Sequence, residues 1–272
     1  MERKKIGIAL SGGAARGFAH IGVLKVLAEN RIPIDCIAGT SAGSIAGASL
    51  ACGLSADEIM RIGGQMSWFR MTGFSYSAKG LLSNAPMGEF LRKNLPFHRI
   101  EDLPMPFAAV ACDLETGAEV VFKEEGDLIK AIRASCAVPG VFAPVEHEGR
   151  LLIDGGVTSL VPTKAVRALG ADIVIAVDVN ACGASYWGTP STFLGVFFQS
   201  AMLLLRTAGK SQHYRADVVI VPQIAHLRPD EIGKMSEFVK AGEEAAREKI
   251  DEIKAVIAAK EAEAVGAPSE NS

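Results

Sequence analysis

The chain has 272 residues, 49% of them hydrophobic and 22% charged, which suits one large α/β domain or two small ones and excludes a disordered chain. Its 28 basic and 31 acidic residues leave a net charge of −3, which excludes the basic footprint of a nucleic-acid binder and gives no Lys/Arg cluster able to hold the chain on anionic lipid. The five cysteines are odd in number and show no CxxC spacing, which argues against a disulfide framework or a zinc site and for a reducing cytoplasm. The apolar run Ile6–Leu10 is too short for a signal peptide, and no stretch approaches the roughly 20 apolar residues of a membrane span. The expected protein is soluble and cytoplasmic, at most peripheral at a membrane.

In chain order, a strand is expected at Lys5–Leu10, a helix at Gly17–Asn30, a strand at Ile34–Ala38 and a helix at Ser41–Ala51. Residues Ser55–Pro106 read differently, with Gly63-Gly64, Trp68, Phe69, Phe74 and Tyr76 ahead of a short helix at Met87–Asn94. They are expected to form an insertion over one end of the sheet, as a cap, or else ordinary packing. Strands follow at Phe107–Ala111 and Val120–Phe122, a helix at Leu128–Ser135, a strand at Leu151–Ile153, and a helix at Pro162–Leu169. Further strands at Ile173–Val179 and Val218–Val221 enclose a helix at Ser191–Thr207. Continuous apolar strands alternating with helices predict an α/β fold, with a mostly parallel central sheet and helices on both faces. From Pro229 one long helix is expected, its apolar stripe running from Ile232 to Ile257 at spacings of three and four. A single domain would then cover residues 1–260, with 55–106 as its cap and 261–272 as a disordered tail.

Gly39-Thr40-Ser41-Ala42-Gly43 carries the strongest chemical signal. It follows a strand and precedes a helix, the setting of a nucleophile elbow, in which flanking glycines let the backbone turn sharply and present the serine hydroxyl. A plain helix-capping turn is the competing reading. Gly12-Gly13-Ala14-Ala15-Arg16-Gly17, directly after the first strand, offers successive free amides at a helix start. Those amides suit an oxyanion hole better than a dinucleotide cradle, because Ala14 stands where that fingerprint wants glycine. Arg16 is expected either to brace the loop or to be a surface arginine. Asp154-Gly155-Gly156 ends an apolar strand, where α/β sheets place active sites, although Asp-Gly is also a common turn. Asp113 is a second candidate carboxylate, with a turn role favoured. His213 or His226 after Ser41 and Asp154 would match the chain order of an α/β-hydrolase triad. No His/Asp/Glu cluster has metal-ligand spacing, so neither a metal nor another cofactor is implied.

Taken together, GGAARG with the following FAHIGVLKVL, GTSAGS, the DGG of Asp154–Gly156 and the intervening AIRASCAVPGVFAPV resemble the patatin-like phospholipase family, in its bacterial, neuropathy-target-esterase-like branch. The resemblance spans most of Lys4–Val221 and implies a three-layer sandwich. It also implies a serine acyl-hydrolase of lipid esters with Ser41 as nucleophile, Asp154 as its base, and no histidine. The amides of Gly12, Gly13 and Ala14 would then form the oxyanion hole, supported by Arg16, Gly17, Gly39, Gly43, Gly155 and Gly156. Ala14 departs from the family, which usually has glycine there; its N–H still serves unless the position needs a positive φ. The implied partner is a lipid or other hydrophobic ester. A binding protein on the same scaffold, a Ser-His-Asp esterase and a nucleotide-binding oxidoreductase are the alternatives. The nearly apolar segment Phe193–Leu205 is expected as a buried core helix or a dimer contact, with contact to lipid or a long acyl chain as the rival reading.

Overall fold

The computed structural model describes residues 3–75, 80–183, 189–192 and 211–266, together with Val196, Gln199, Ser200, Leu203, Leu204, Arg206, Thr207 and Gly209. Tyr76, about half of the expected helix Ser191–Thr207 and most of Phe193–Leu205 lie outside the described residues.

The strands are β1 (Ile6–Leu10), β2 (Cys36–Thr40), β3 (Gly73–Phe74), β4 (Leu82–Ser83), β5 (Phe107–Asp113), β6 (Glu119–Phe122), β7 (Val145–His147), β8 (Arg150–Asp154), β9 (Ile173–Val177) and β10 (Val218–Ile220). The helices are α1 (Phe18–Glu29), α2 (Ala42–Ala51), α3 (Ala56–Gly63), α4 (Trp68–Met71), α5 (Ala85–Asn94), α6 (Leu128–Ser135), α7 (Thr163–Ala168) and α8 (Met235–Gly266). An 8-stranded sheet runs in the order β10-β9-β1-β2-β5-β8-β7, with β6 also paired to β5. The neighbours from β10 to β5 are parallel, and β6, β7 and β8 pair antiparallel. β1, β2, β5 and β9 are buried along their whole length, which is why their sequences read as unbroken apolar runs.

One face of the sheet, through Ile8, Leu10, Ile37 and Phe107, packs with residues of α1, α2, α6 and α8 in one large core. The other face, through Ala9, Ala38 and Val174, packs with Val161 and with Ala165 and Val166 of α7. Helices thus cover both faces, as the alternation of apolar strands and helices predicts.

The pairing register creates the site. On β5, Val110 pairs with Thr40 of β2 and with Val121 of β6. The next residue, Ala111, pairs with Asp154 of β8 and with Val120 of β6. β2 and β8 therefore share one edge of β5 and meet there, both ending at the junction. Ser41 follows the end of β2, and Asp154 is the end of β8.

The segment expected as an insertion holds α3, α4, the β3–β4 hairpin and α5. α3 opens on a reciprocal capping box: the Glu58 N–H donates to Ser55 Oγ at 3.3 Å, and the Ser55 N–H donates to Glu58 Oε2 at 2.8 Å. The last helix differs from expectation at both ends. It starts at Met235 rather than Pro229, because Ile232–Lys234 forms a separate 3₁₀ turn and the Pro229 carbonyl accepts the Ala15 N–H at 2.9 Å. It continues past Glu261 to Gly266, into the segment expected as a tail, while 267–272 lie outside the described residues. Among the described residues no helix is long and apolar enough to cross a membrane.

Candidate active site

Ser41 sits between β2 and α2 at φ 52, ψ −123. A left-handed φ at a non-glycine residue is strained, and the neighbours hold it there. The Ser41 N–H donates to Ser135 Oγ at 2.8 Å, and the Ser135 hydroxyl donates to the Val110 carbonyl at 2.6 Å. Ser135 thus fills the gap where β2 leaves β5. The Ser44 hydroxyl donates to the Ser41 carbonyl at 2.6 Å. At Gly39, Gly43 and Gly155 a Cβ would lie 2.2 Å from the carbonyl oxygens of Gly43, Leu10 and Val110 respectively, and at Gly17 it would lie 2.5 Å from the Ala42 Cβ. These glycines are required by close backbone or helix approach, which is what an elbow demands.

Asp154 is 7% exposed, and its backbone N–H donates to the Ala137 carbonyl at 2.9 Å. The short segment that ends α6 therefore anchors both residues, Ser41 through Ser135 and Asp154 through Ala137. The Ser41 hydroxyl acts on the Asp154 carboxylate and favours its charged form. The Gly156 N–H donates to Asp154 Oδ1 at 2.8 Å. Burial pushes the Asp154 carboxyl up from its ordinary 3.8 to about 6, against the Ser41 hydroxyl and the Gly156 N–H, which both favour the charged form. A carboxylate with that value is a better base near neutral pH than an exposed one. Cys136, between the two anchors, is buried with Sγ 3.8 Å from Ser44 Oγ, and burial pushes its thiol well up.

Both residues open into a cavity of ≈ 610 Å³. Its walls are mostly apolar and include Phe18, Ile21 and Ile45 from α1 and α2, and Ile59, Ile62 and Trp68 from α3 and α4. The segment 55–106 thus supplies one wall. Among the described residues no histidine lines the cavity, and no group of His, Cys, Asp and Glu could hold a metal.

The glycine-rich loop lines the same cavity. The Gly12 N–H, expected as an oxyanion donor, instead donates to the Leu160 carbonyl at 3.1 Å. Among the described residues the N–H groups of Gly13 and Ala14 meet no acceptor. Ala14 has φ 49, so its position does take the left-handed conformation that glycine tolerates freely. A non-glycine residue there costs about 1–2 kcal/mol, partly offset by the greater chain entropy that glycine loses on folding. Ala14→Gly should therefore raise Tm by about 1–2 °C, and an unchanged or lower Tm would refute the strain. Arg16 is 1% exposed and donates to the carbonyls of Leu227, Val179, Gly183 and Ile224. It braces the loop and is no surface arginine.

The other polar candidates stand elsewhere. Asp113 Oδ1 accepts the N–H groups of Glu115 and Thr116, which makes a turn and holds its carboxyl low. His213 Nε2 lies 2.8 Å from Asp178 Oδ2, not against Asp154. His226 is exposed. His20 Nε2 donates to the Ser11 carbonyl at 2.8 Å, and burial pushes its imidazole down to about 4. Ser135, Cys136 and Asn180 adjoin the site or line its cavity without having been singled out from sequence.

A family model described as "Patatin-like phospholipase" matches residues 8–167. An uncharacterized NTE family protein of Mycobacterium tuberculosis (strain ATCC 25618 / H37Rv) is 41% identical over 179 residues, 65% of this chain and 49% of that protein. Lysophospholipase NTE1 of Coccidioides immitis (strain RS) is 34% identical over 186 residues, 65% of this chain and 12% of that protein. The aligned part is thus about half of the mycobacterial relative and a small part of the fungal one. Among solved structures, VipD from Legionella pneumophila superposes with a TM-score of 0.52 at 14% identity, over 92% of this chain and 67% of that one, a likeness of fold alone.

Proposed function

This chain belongs to the patatin-like phospholipase family, and from that premise we propose that it is a serine acyl-hydrolase of lipid esters working through Ser41 and Asp154. The observation that carries the reading is that Ser41 and a buried carboxylate whose value stands at about 6 open into one largely apolar cavity. In this mechanism Ser41 Oγ attacks the ester carbonyl as Asp154 takes the hydroxyl proton. The Gly13 and Ala14 amides hold the oxyanion, assisted by the positive start of α2. Collapse of the tetrahedral species expels the alcohol, which takes the proton back from Asp154. Water, deprotonated by Asp154, then releases the fatty acid from the acyl-enzyme.

The segment 55–106 acts as a cap that shields the acyl chain from water. Phe69, Phe74 and Leu81 on it are 96%, 89% and 77% exposed. Through these exposed apolar side chains the chain would meet a lipid surface. Release of fatty acid from a lysophospholipid, and of nitrophenol from a medium-chain p-nitrophenyl ester, tests the reading. Turnover of both is expected. Binding of these lipids without turnover would assign the chain to a non-catalytic role on the same scaffold.

A further inference from the structure

Gly12 is held through its N–H and its carbonyl, which belong to successive peptides, by parts of the chain far away in sequence. The Gly12 N–H donates to the Leu160 carbonyl at 3.1 Å. The Gly12 carbonyl accepts from Asn180 Nδ2 at 2.6 Å. Only the amide nitrogen of Asn180 can face a carbonyl oxygen, so its orientation is fixed by that partner. Asn180 is buried, lines the cavity, and is itself anchored: its backbone N–H donates to Asp178 Oδ1 at 2.8 Å, while Asp178 Oδ2 lies 2.8 Å from His213 Nε2.

We propose that Asn180 is a positioning residue that sets the oxyanion hole. In a planar trans peptide the carbonyl and the following N–H point in opposite directions, and no peptide bond among the described residues is cis. Tying the Gly12 oxygen to Asn180 therefore turns the Gly13 N–H away from Asn180, toward the Ser41 side of the cavity. A Cβ at Gly12 would lie 3.3 Å from the Ser41 Cβ, so this peptide borders the nucleophile. Between two glycines a peptide rotates with little steric resistance. Without the Asn180 donor it is free to flip, which would present a carbonyl oxygen where the oxyanion develops. Asp178 and His213 then serve the oxyanion loop, not proton transfer. This inference rests on the proposed hydrolase reading.

The test compares Asn180→Ala, which deletes the donor, with Asn180→Asp, which keeps the size but sets an acceptor against the Gly12 carbonyl. For a p-nitrophenyl ester, kcat should fall about 10²-fold or more in both variants, with KM within about twofold. Affinity for an acyl trifluoromethyl ketone, which forms an oxyanion on Ser41, should fall in proportion. Affinity for an ether analogue of the same chain length, which forms none, should hold. A purely structural role would move the ether affinity, KM and Tm together with kcat, and that result overturns the proposal. So does a kcat within about threefold of the parent in either variant. If the parent enzyme turns over no ester and its Ser41 takes no phosphonate label, the hydrolase reading falls and takes this inference with it. An active parent with unimpaired Asn180 variants removes the inference alone.

Discussion

Ser41→Ala should abolish ester turnover, by about 10⁴-fold or more, while His213→Gln should keep kcat/KM within about threefold of the parent. The contrast separates a two-residue site from a triad. In a triad the members act as a unit, so loss of the histidine is about as damaging as loss of the serine. Here His213 pairs with Asp178 at 2.8 Å, and neither residue lines the cavity that holds Ser41 and Asp154. Glutamine at 213 retains a donor for Asp178, so the packing behind the oxyanion loop survives. Fluorophosphonate labelling gives an independent reading: intact mass should show one adduct on the parent and on His213→Gln, and none on Ser41→Ala. An adduct that persists in Ser41→Ala, or loss of the adduct in His213→Gln, would sink the assignment.

The elbow, the glycine-rich loop and Asp154 were legible because each is a local pattern, a few residues long and set at the end of a strand. The partners that hold them are not local. Ser135 bonds Ser41 across 94 residues of sequence, and Asn180 bonds Gly12 across 168. Nothing in the neighbourhood of a buried serine or asparagine announces such a contact. Strand direction was hidden for a similar reason. Leu151–Ile153 is as apolar as the parallel strands, and only its pairing with β5, which brings Asp154 opposite Ala111, makes it antiparallel. That reversal is what lets the two chain segments meet at Ser41, so the least readable feature of the sheet assembles the site. Residues 55–106 stand out in the sequence as a change in composition but not as structure. The Ser55–Glu58 capping box is a start signal for α3 that apolar periodicity does not carry. The histidine candidates came from chain order alone, which carries no distance.

Asp154→Asn should remove nearly all turnover and at the same time make the protein more stable above neutral pH. Asparagine keeps the size of the side chain and an oxygen for the Ser41 hydroxyl and the Gly156 N–H, but it cannot take the proton. General-base catalysis contributes about 10²–10⁴-fold, so the loss should be at least of that order. The stability effect has the opposite sign. The folded chain releases the Asp154 proton at about 6, whereas the ordinary value for the group is 3.8. Below the lower value the carboxyl is neutral in both states, and the parent and variant should be equally stable. As pH rises through the folded value, the parent must bury a charge that its unfolded chain carries in water, and it loses roughly 3 kcal/mol relative to the asparagine variant. The Tm difference should thus be near zero at acid pH, open between about pH 4 and pH 6, and stay constant above. The same ionisation governs the parent's rate. kcat/KM should fall on the acid side, about tenfold per pH unit below about 6, because only the charged form accepts the Ser41 proton. An inactive variant whose Tm equals that of the parent at pH 8 would leave Asp154 as the base but contradict its raised value. A variant that keeps most of its turnover would remove Asp154 from the mechanism.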